Sequence, residues 1–66
     1  MKLYDTVRLK EDNPAVGVTT DNLGSIVDVL GDNEAYTVEF FDSDGNTIED
    51  ALFIEFTDDQ LEFVSH

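Results

Sequence analysis

Ala35-Tyr36-Thr37-Val38-Glu39-Phe40-Phe41, followed by Asp42-Ser43-Asp44-Gly45-Asn46, decides the fold class of this chain. Tyr36, Val38 and Phe40 alternate with Thr37 and Glu39, the period of a half-buried strand. The β-branched and aromatic side chains suit a pleated surface. The polar run that follows puts Gly45 where a hairpin turn needs a positive φ. A strand entering a hairpin needs at least one partner, and the flanking sequence supplies candidates on both sides.

Upstream, Ser25-Ile26-Val27-Asp28-Val29-Leu30 reads as a second strand opened by Gly24, with Gly31-Asp32-Asn33-Glu34 as its turn. Downstream, Thr47 to Phe56 reads as a fourth strand, with Leu52, Ile54 and Phe56 alternating against Phe53 and Glu55. Leu3, Val7 and Leu9 alternate with polar residues in a first strand. Glu11 to Asn22, holding Pro14 and Gly17, is a long loop shaped as a hairpin-like excursion. Thr57-Asp58-Asp59-Gln60 predicts a single 3₁₀ turn, and Leu61-Glu62-Phe63-Val64 a short closing strand. No helix of useful length and no internal repeat is visible. Five short strands in 66 residues cannot build a full two-sheet sandwich. They suit a small bent barrel that removes most open edges. The expectation is one all-β domain over residues 1–66: a five-stranded SH3-like barrel, with a long loop after strand 1 and a 3₁₀ turn before strand 5. Gly24 falls where the second strand must bend sharply.

Charge narrows the partners. The chain has 16 acids against three basic residues and one His, a net charge of −13. Lys2, Arg8 and Lys10 all lie in the first ten positions, so that segment is +2 and residues 11–66 carry −15. Binding a polyphosphate requires Lys and Arg to displace counterions. This balance repels nucleic acid, and equally an anionic membrane surface. Five Phe, two Tyr and a hydrophobic fraction of 41% argue against the disorder that acidity alone would suggest. No Cys is present, so neither a disulfide framework nor a thiolate metal site is available. No apolar run reaches the ~18 residues of a membrane span, and Met1-Lys2-Leu3-Tyr4-Asp5 has no apolar leader core. Cytoplasmic residence is expected.

The chemistry-bearing residues form no catalytic constellation. Asp42-Ser43-Asp44-Gly45-Asn46 superficially resembles a calcium loop. Its Gly is fourth where such a loop needs it sixth, and the twelfth position is Phe53 where a Glu is needed. A hairpin turn is the better reading. The pairs Glu11-Asp12, Glu49-Asp50 and Asp58-Asp59 read as solvated turns and strand ends. His66 is the last residue and is expected to fray. No Ser has a His partner for a nucleophilic triad, and no Gly-rich phosphate cradle occurs. Neither a cofactor, a metal nor an enzymatic activity is expected.

As a set, Asp5-Thr6-Val7-Arg8-Leu9-Lys10-Glu11-Asp12, Gly17, Gly24-Ser25-Ile26-Val27-Asp28-Val29, Ala35-Tyr36-Thr37-Val38-Glu39-Phe40, Asp44-Gly45 and Asp59-Gln60-Leu61 resemble a small bacterial family, catalogued as domain of unknown function 4926. Between Thr47 and Phe56 this chain departs from that pattern, being longer and more aromatic. The layout is more distantly similar to SH3-like barrels that act as accessory subunits. Examples are the small SH3-like protein of photosystem I, the variable chain of ferredoxin-thioredoxin reductase and the β-subunit of nitrile hydratase. The resemblance implies a docking role and transfers no catalytic residue.

The residues point to a non-catalytic, acidic protein-binding module that docks a basic protein, as an inhibitor, an immunity or antitoxin-like protein, or an accessory subunit. Tyr36, Phe40, Phe53, Phe56 and Phe63 are expected mostly in the core. Phe41, on the face opposite Tyr36, Val38 and Phe40, is the leading candidate for an exposed aromatic hot spot, and Tyr4 joins it. Asp28, Glu39, Glu49, Asp50 and Glu55 are the candidate acids around it. The alternatives are a nucleic-acid mimic, if those five carboxylates form a row, and a structural role as a homodimer paired through the Thr47–Phe56 strand.

Overall fold

The computed structural model describes the whole chain, Met1–His66. Strand β1 spans Thr6–Leu9, β2 Gly24–Leu30, β3 Ala35–Phe40 and β4 Leu61–Ser65. Two 3₁₀ helices, Glu49–Phe53 and Asp58–Gln60, lie between β3 and β4. The four strands form one antiparallel sheet in the order β3-β2-β1-β4. The fold is all-β, and no helix is long and apolar enough to cross a membrane.

Alternation places the core. Tyr36, Val38 and Phe40 of β3 are fully buried, as are Val7 of β1 and Ile26 of β2. Their neighbours Thr37 and Glu39 point to the sheet's outer face. The inner face is closed from outside the sheet. Val18 comes from the long loop, Ala51 from the first 3₁₀ helix, and Phe56 packs edge-on against Phe40, ring centroids 5.4 Å apart at 77°. An edge-to-face pair adds about 0.5–1.5 kcal/mol beyond burial.

The long loop is the hairpin-like excursion read from its sequence. Asn13 and Val18 bridge with N···O distances of 2.8 and 3.2 Å, and Gly17 takes φ 73° at the tip. Doubling back returns Val18 to the core. Gly45 at φ 84° and Gly31 at φ 62° serve the two tight turns as expected. The Asp42 carboxylate accepts the N–H groups of Asp44 and Asn46, both at 2.9 Å, so its oxygen is committed to holding the turn. The second 3₁₀ helix sits where the Thr57–Gln60 turn was expected, and the Thr57 N–H donates to Gln60 Oε1 at 2.9 Å.

Gly24 is the tightest point. It pairs with Val7 on one side and Phe40 on the other, and it is buried. A Cβ built there meets Phe40 Cδ1 and Val38 Cγ1, each at 2.7 Å. The Phe40 ring and the Val38 methyl therefore occupy the space that any other residue's side chain would fill. Two bulges add to the bend. One leaves Val27 between the Ile26–Val38 and Asp28–Thr37 pairs; the other leaves Val64 between Val7–Phe63 and Thr6–Ser65.

Three expectations are corrected. First, Thr47–Phe56 is not a strand. It makes two isolated bridges, Tyr36–Phe56 on β3 and Phe41–Thr47 at the residue just past its end. Between them the β3 side advances five residues while the facing segment advances nine. A ladder pairs residues one for one, so four residues are surplus and coil into the first 3₁₀ helix. The sheet accordingly has four strands rather than five, and edge-to-edge dimer pairing through Thr47–Phe56 lacks its strand. Second, β1 begins at Thr6. Residues 2–5 make a turn closed by Asp5 N–H to Lys2 O at 3.1 Å, leaving Leu3 half exposed. Third, Phe53 is 85% exposed and Phe63 45%, so neither belongs to the core. Phe53 is carried outward by the 3₁₀ helix, and Phe63 lies on an edge strand.

Gly24→Ala is expected to lower stability by about 1–3 kcal/mol through overpacking. Urea unfolding monitored by circular dichroism would measure the loss. An unchanged midpoint would mean that Phe40 and Val38 can move aside, and that the close approach does not set the bend.

Candidate functional site

The structure separates the sequence-derived candidates. Phe41 is half-buried: its N–H donates to Leu23 O at 3.0 Å, and its carbonyl accepts from Asn22 Nδ2 at 3.2 Å. These bonds and the bridge to Thr47 fix its backbone beside the long loop, and its side chain is partly covered. Tyr4 is 73% exposed, at φ 69°, and its N–H donates to Ile26 O at 2.7 Å. It therefore projects beside β2, on the basic N-terminal segment.

The five candidate acids divide into two groups. Asp28 and Glu39 lie on the outer face of neighbouring strands, and Glu39 accepts a hydrogen bond from Thr47 Oγ1 at 2.8 Å. Glu49 and Asp50 open the first 3₁₀ helix, and Glu55 follows its end, all three exposed. No single strand carries them in a row. Arg8 is spoken for: its guanidinium meets Glu62 Oε1 at 2.6 Å across β1 and β4. Such an exposed pair contributes about 0–1 kcal/mol.

Sequence reasoning missed three features. One is a cleft of about 300 Å³ between the start of the long loop and the second 3₁₀ helix. Buried Leu9 and Phe56 form its apolar part, and Lys10, Glu11, Asp12 and Asp59 its exposed rim. Its walls are far apart in sequence, so no local pattern signals it. No group of three or more His, Asp or Glu side chains converges as a metal site requires.

The second is the Tyr36 hydroxyl, fully buried and without a hydrogen-bond partner. Burial pushes the phenol pKa above its ordinary value, and the neighbouring Asp58 carboxylate adds to the rise. A buried polar group in this state costs about 1–3 kcal/mol.

The third is Asp5, the one buried carboxylate. Its Oδ1 lies 3.0 Å from His66 Nδ1, and its Oδ2 accepts the Lys2 N–H at 2.9 Å. The His66 ring also packs on Phe63, centroids 4.9 Å apart. The expectation that His66 frays is therefore corrected: two contacts hold it. The His66 hydrogen bond, and then the Lys2 N–H, hold the Asp5 carboxyl below the ordinary carboxylate pKa; desolvation opposes them and is the smaller influence.

The profile of a protein family described as "domain of unknown function (DUF4926)" matches residues 3–62, so the chain belongs to that family. Nothing among the curated proteins and nothing among the solved structures matches it.

Tyr36→Phe removes the unpartnered hydroxyl and is expected to raise stability by about 1 kcal/mol at neutral pH. The raised phenol pKa favours the folded state below about pH 10 and ceases to do so as pH climbs through the folded value. The advantage of Tyr36→Phe should therefore widen above about pH 10. A destabilised variant in urea melts would show that the hydroxyl has a partner. For Asp5 the sign is opposite. A lowered folded pKa stabilises above the unfolded value of about 4, and that contribution disappears as pH falls through the folded pKa. Asp5→Asn should be less stable than the parent at pH 7 and converge with it in strong acid. Parallel pH profiles would remove Asp5 from the account.

Proposed function

We propose that this member of the DUF4926 family is a non-catalytic, acidic binding module that docks a basic protein, as an inhibitor or accessory subunit. The observation that carries the reading is the uncompensated charge. Of the three basic side chains, Arg8 is paired and Lys2 and Lys10 lie in the first ten residues, while −15 is spread over residues 11–66. Such a field accelerates encounter with a positive surface and repels a negative one.

The architecture supports the same role. We read the sheet as an SH3-like barrel in which the segment at the fourth-strand place is a 3₁₀ turn. The order β4-β1-β2-β3, the long loop after β1, the turns after β2 and β3, and the 3₁₀ turn before the closing strand favour that assignment. Barrels of this layout serve as accessory subunits, which is fold-level analogy and carries no site. The acids lie in the long loop, β2, β3, both 3₁₀ helices and β4, a distribution that favours general electrostatic docking over phosphate-like mimicry.

The test uses the full chain as bait in native lysate at low salt. The expected partner is a protein of pI above about 9, whose affinity falls at least about tenfold when salt rises from tens of millimolar to several hundred. A partner that is acidic, or one whose affinity ignores salt, would overturn the reading.

A further inference from the structure

Phe53 is the most exposed large apolar side chain of the molecule. A lone exposed apolar residue is ordinary; this one differs in how it is held. The four-residue surplus over the facing stretch is taken up by the 3₁₀ helix that carries it. That turn is fastened on both sides of Phe53. Ala51 is fully buried, Ile48 and Ile54 pack against the core, and the Ile48 N–H donates to Phe40 O at 2.8 Å. The ring is thus presented from a fixed base.

Its surroundings are acidic and unpaired. In a 3₁₀ helix side chains at i and i+3 eclipse, so Asp50 lies on the same line as Phe53. Glu49 precedes it and Glu55 follows, all exposed. No Lys, Arg or His of the chain forms an ion pair with any of the three. An aromatic face next to a carboxylate suits one side chain above others. A guanidinium can stack on the ring through its flat face and present its N–H fork to the carboxylate at the same time. An ammonium can make the ion pair but lacks the planar fork. Tyr4, the other strongly exposed aromatic, lies between Lys2 and Arg8, the wrong sign for a cation.

We propose that Phe53, with Asp50 beside it and Glu49 and Glu55 flanking, is an arginine-docking site: a guanidinium of the basic partner stacks on the Phe53 ring and forks onto the Asp50 carboxylate. The proposal rests on the docking reading above and adds the anchor and the residue type it takes.

The probes are two capped twelve-residue peptides of equal charge, one of Gly–Arg repeats and one of Gly–Lys repeats. Each is titrated at low salt into the ¹⁵N-labelled full chain and followed by amide shifts. The Gly–Arg peptide should bind about threefold to fivefold more tightly, with its largest shifts at residues 49–55. Phe53→Ala should abolish that preference with the melting temperature unchanged, and Phe53→Trp should retain it. A preference that survives Phe53→Ala, or shifts centred elsewhere, would overturn the arginine site and leave the docking reading standing. If neither peptide binds, both fall together.

Discussion

The contact on which the architecture depends is that of Phe40 and Val38 with the bare backbone of Gly24. Gly24 is where β2 pairs with β1 and β3 at once, and the missing Cβ lets two side chains of β3 close over it. A sheet of four short strands has little area with which to bury a core, and bending it is how the inner face becomes concave enough to enclose one. Phe40, seated there, becomes the face against which Phe56 packs edge-on. Phe56 in turn bridges to Tyr36 by two backbone bonds of 2.7 and 2.9 Å, drawing the chain back along β3 before it turns to β4. Core, sheet curvature and the return of the chain thus share one close approach.

A mismatch grows from the same place. With Thr47 held at Phe41 and Phe56 held at Tyr36, the intervening chain is too long for the strand it faces. Backbone polar groups cannot simply be left unpaired against a core. The surplus is taken up by a 3₁₀ turn that buries Ala51 and turns Phe53 out. The exposed aromatic is thus a consequence of register, joined to a stretch whose acids have no cation of their own. Where the hairpin bridge and the Phe56 bridge are fixed, the surface between them follows.

Charge operates at two ranges. Over most of the surface the acids act collectively, as one negative field. At Asp5 the effect is local: a covered carboxylate is kept ionised by two hydrogen bonds, one from a residue three positions away and one from a residue 61 positions away. The second bond ties His66 to the turn that opens the chain, beside the edge where β4 pairs with β1.

Much of the fold was legible because its causes are local. The alternation of Tyr36, Val38 and Phe40, the turn chemistry of Gly31 and Gly45, the 3₁₀ turn at Asp58–Gln60 and the closing strand each follow from a few adjacent residues. The sign of the net charge likewise came from the sequence alone. What tertiary structure decided was everything set by register between distant segments. Leu52, Ile54 and Phe56 alternate as convincingly as any strand, yet the segment coils because its bridges to Tyr36 and Phe41 leave it four residues over. The cleft beside Phe56, the unpartnered Tyr36 hydroxyl, the Asp5–His66 contact and the outward ring of Phe53 depend on pairing across the chain. Periodicity says which residues prefer to be buried together; only the folded register says whether the space between the strands can take them.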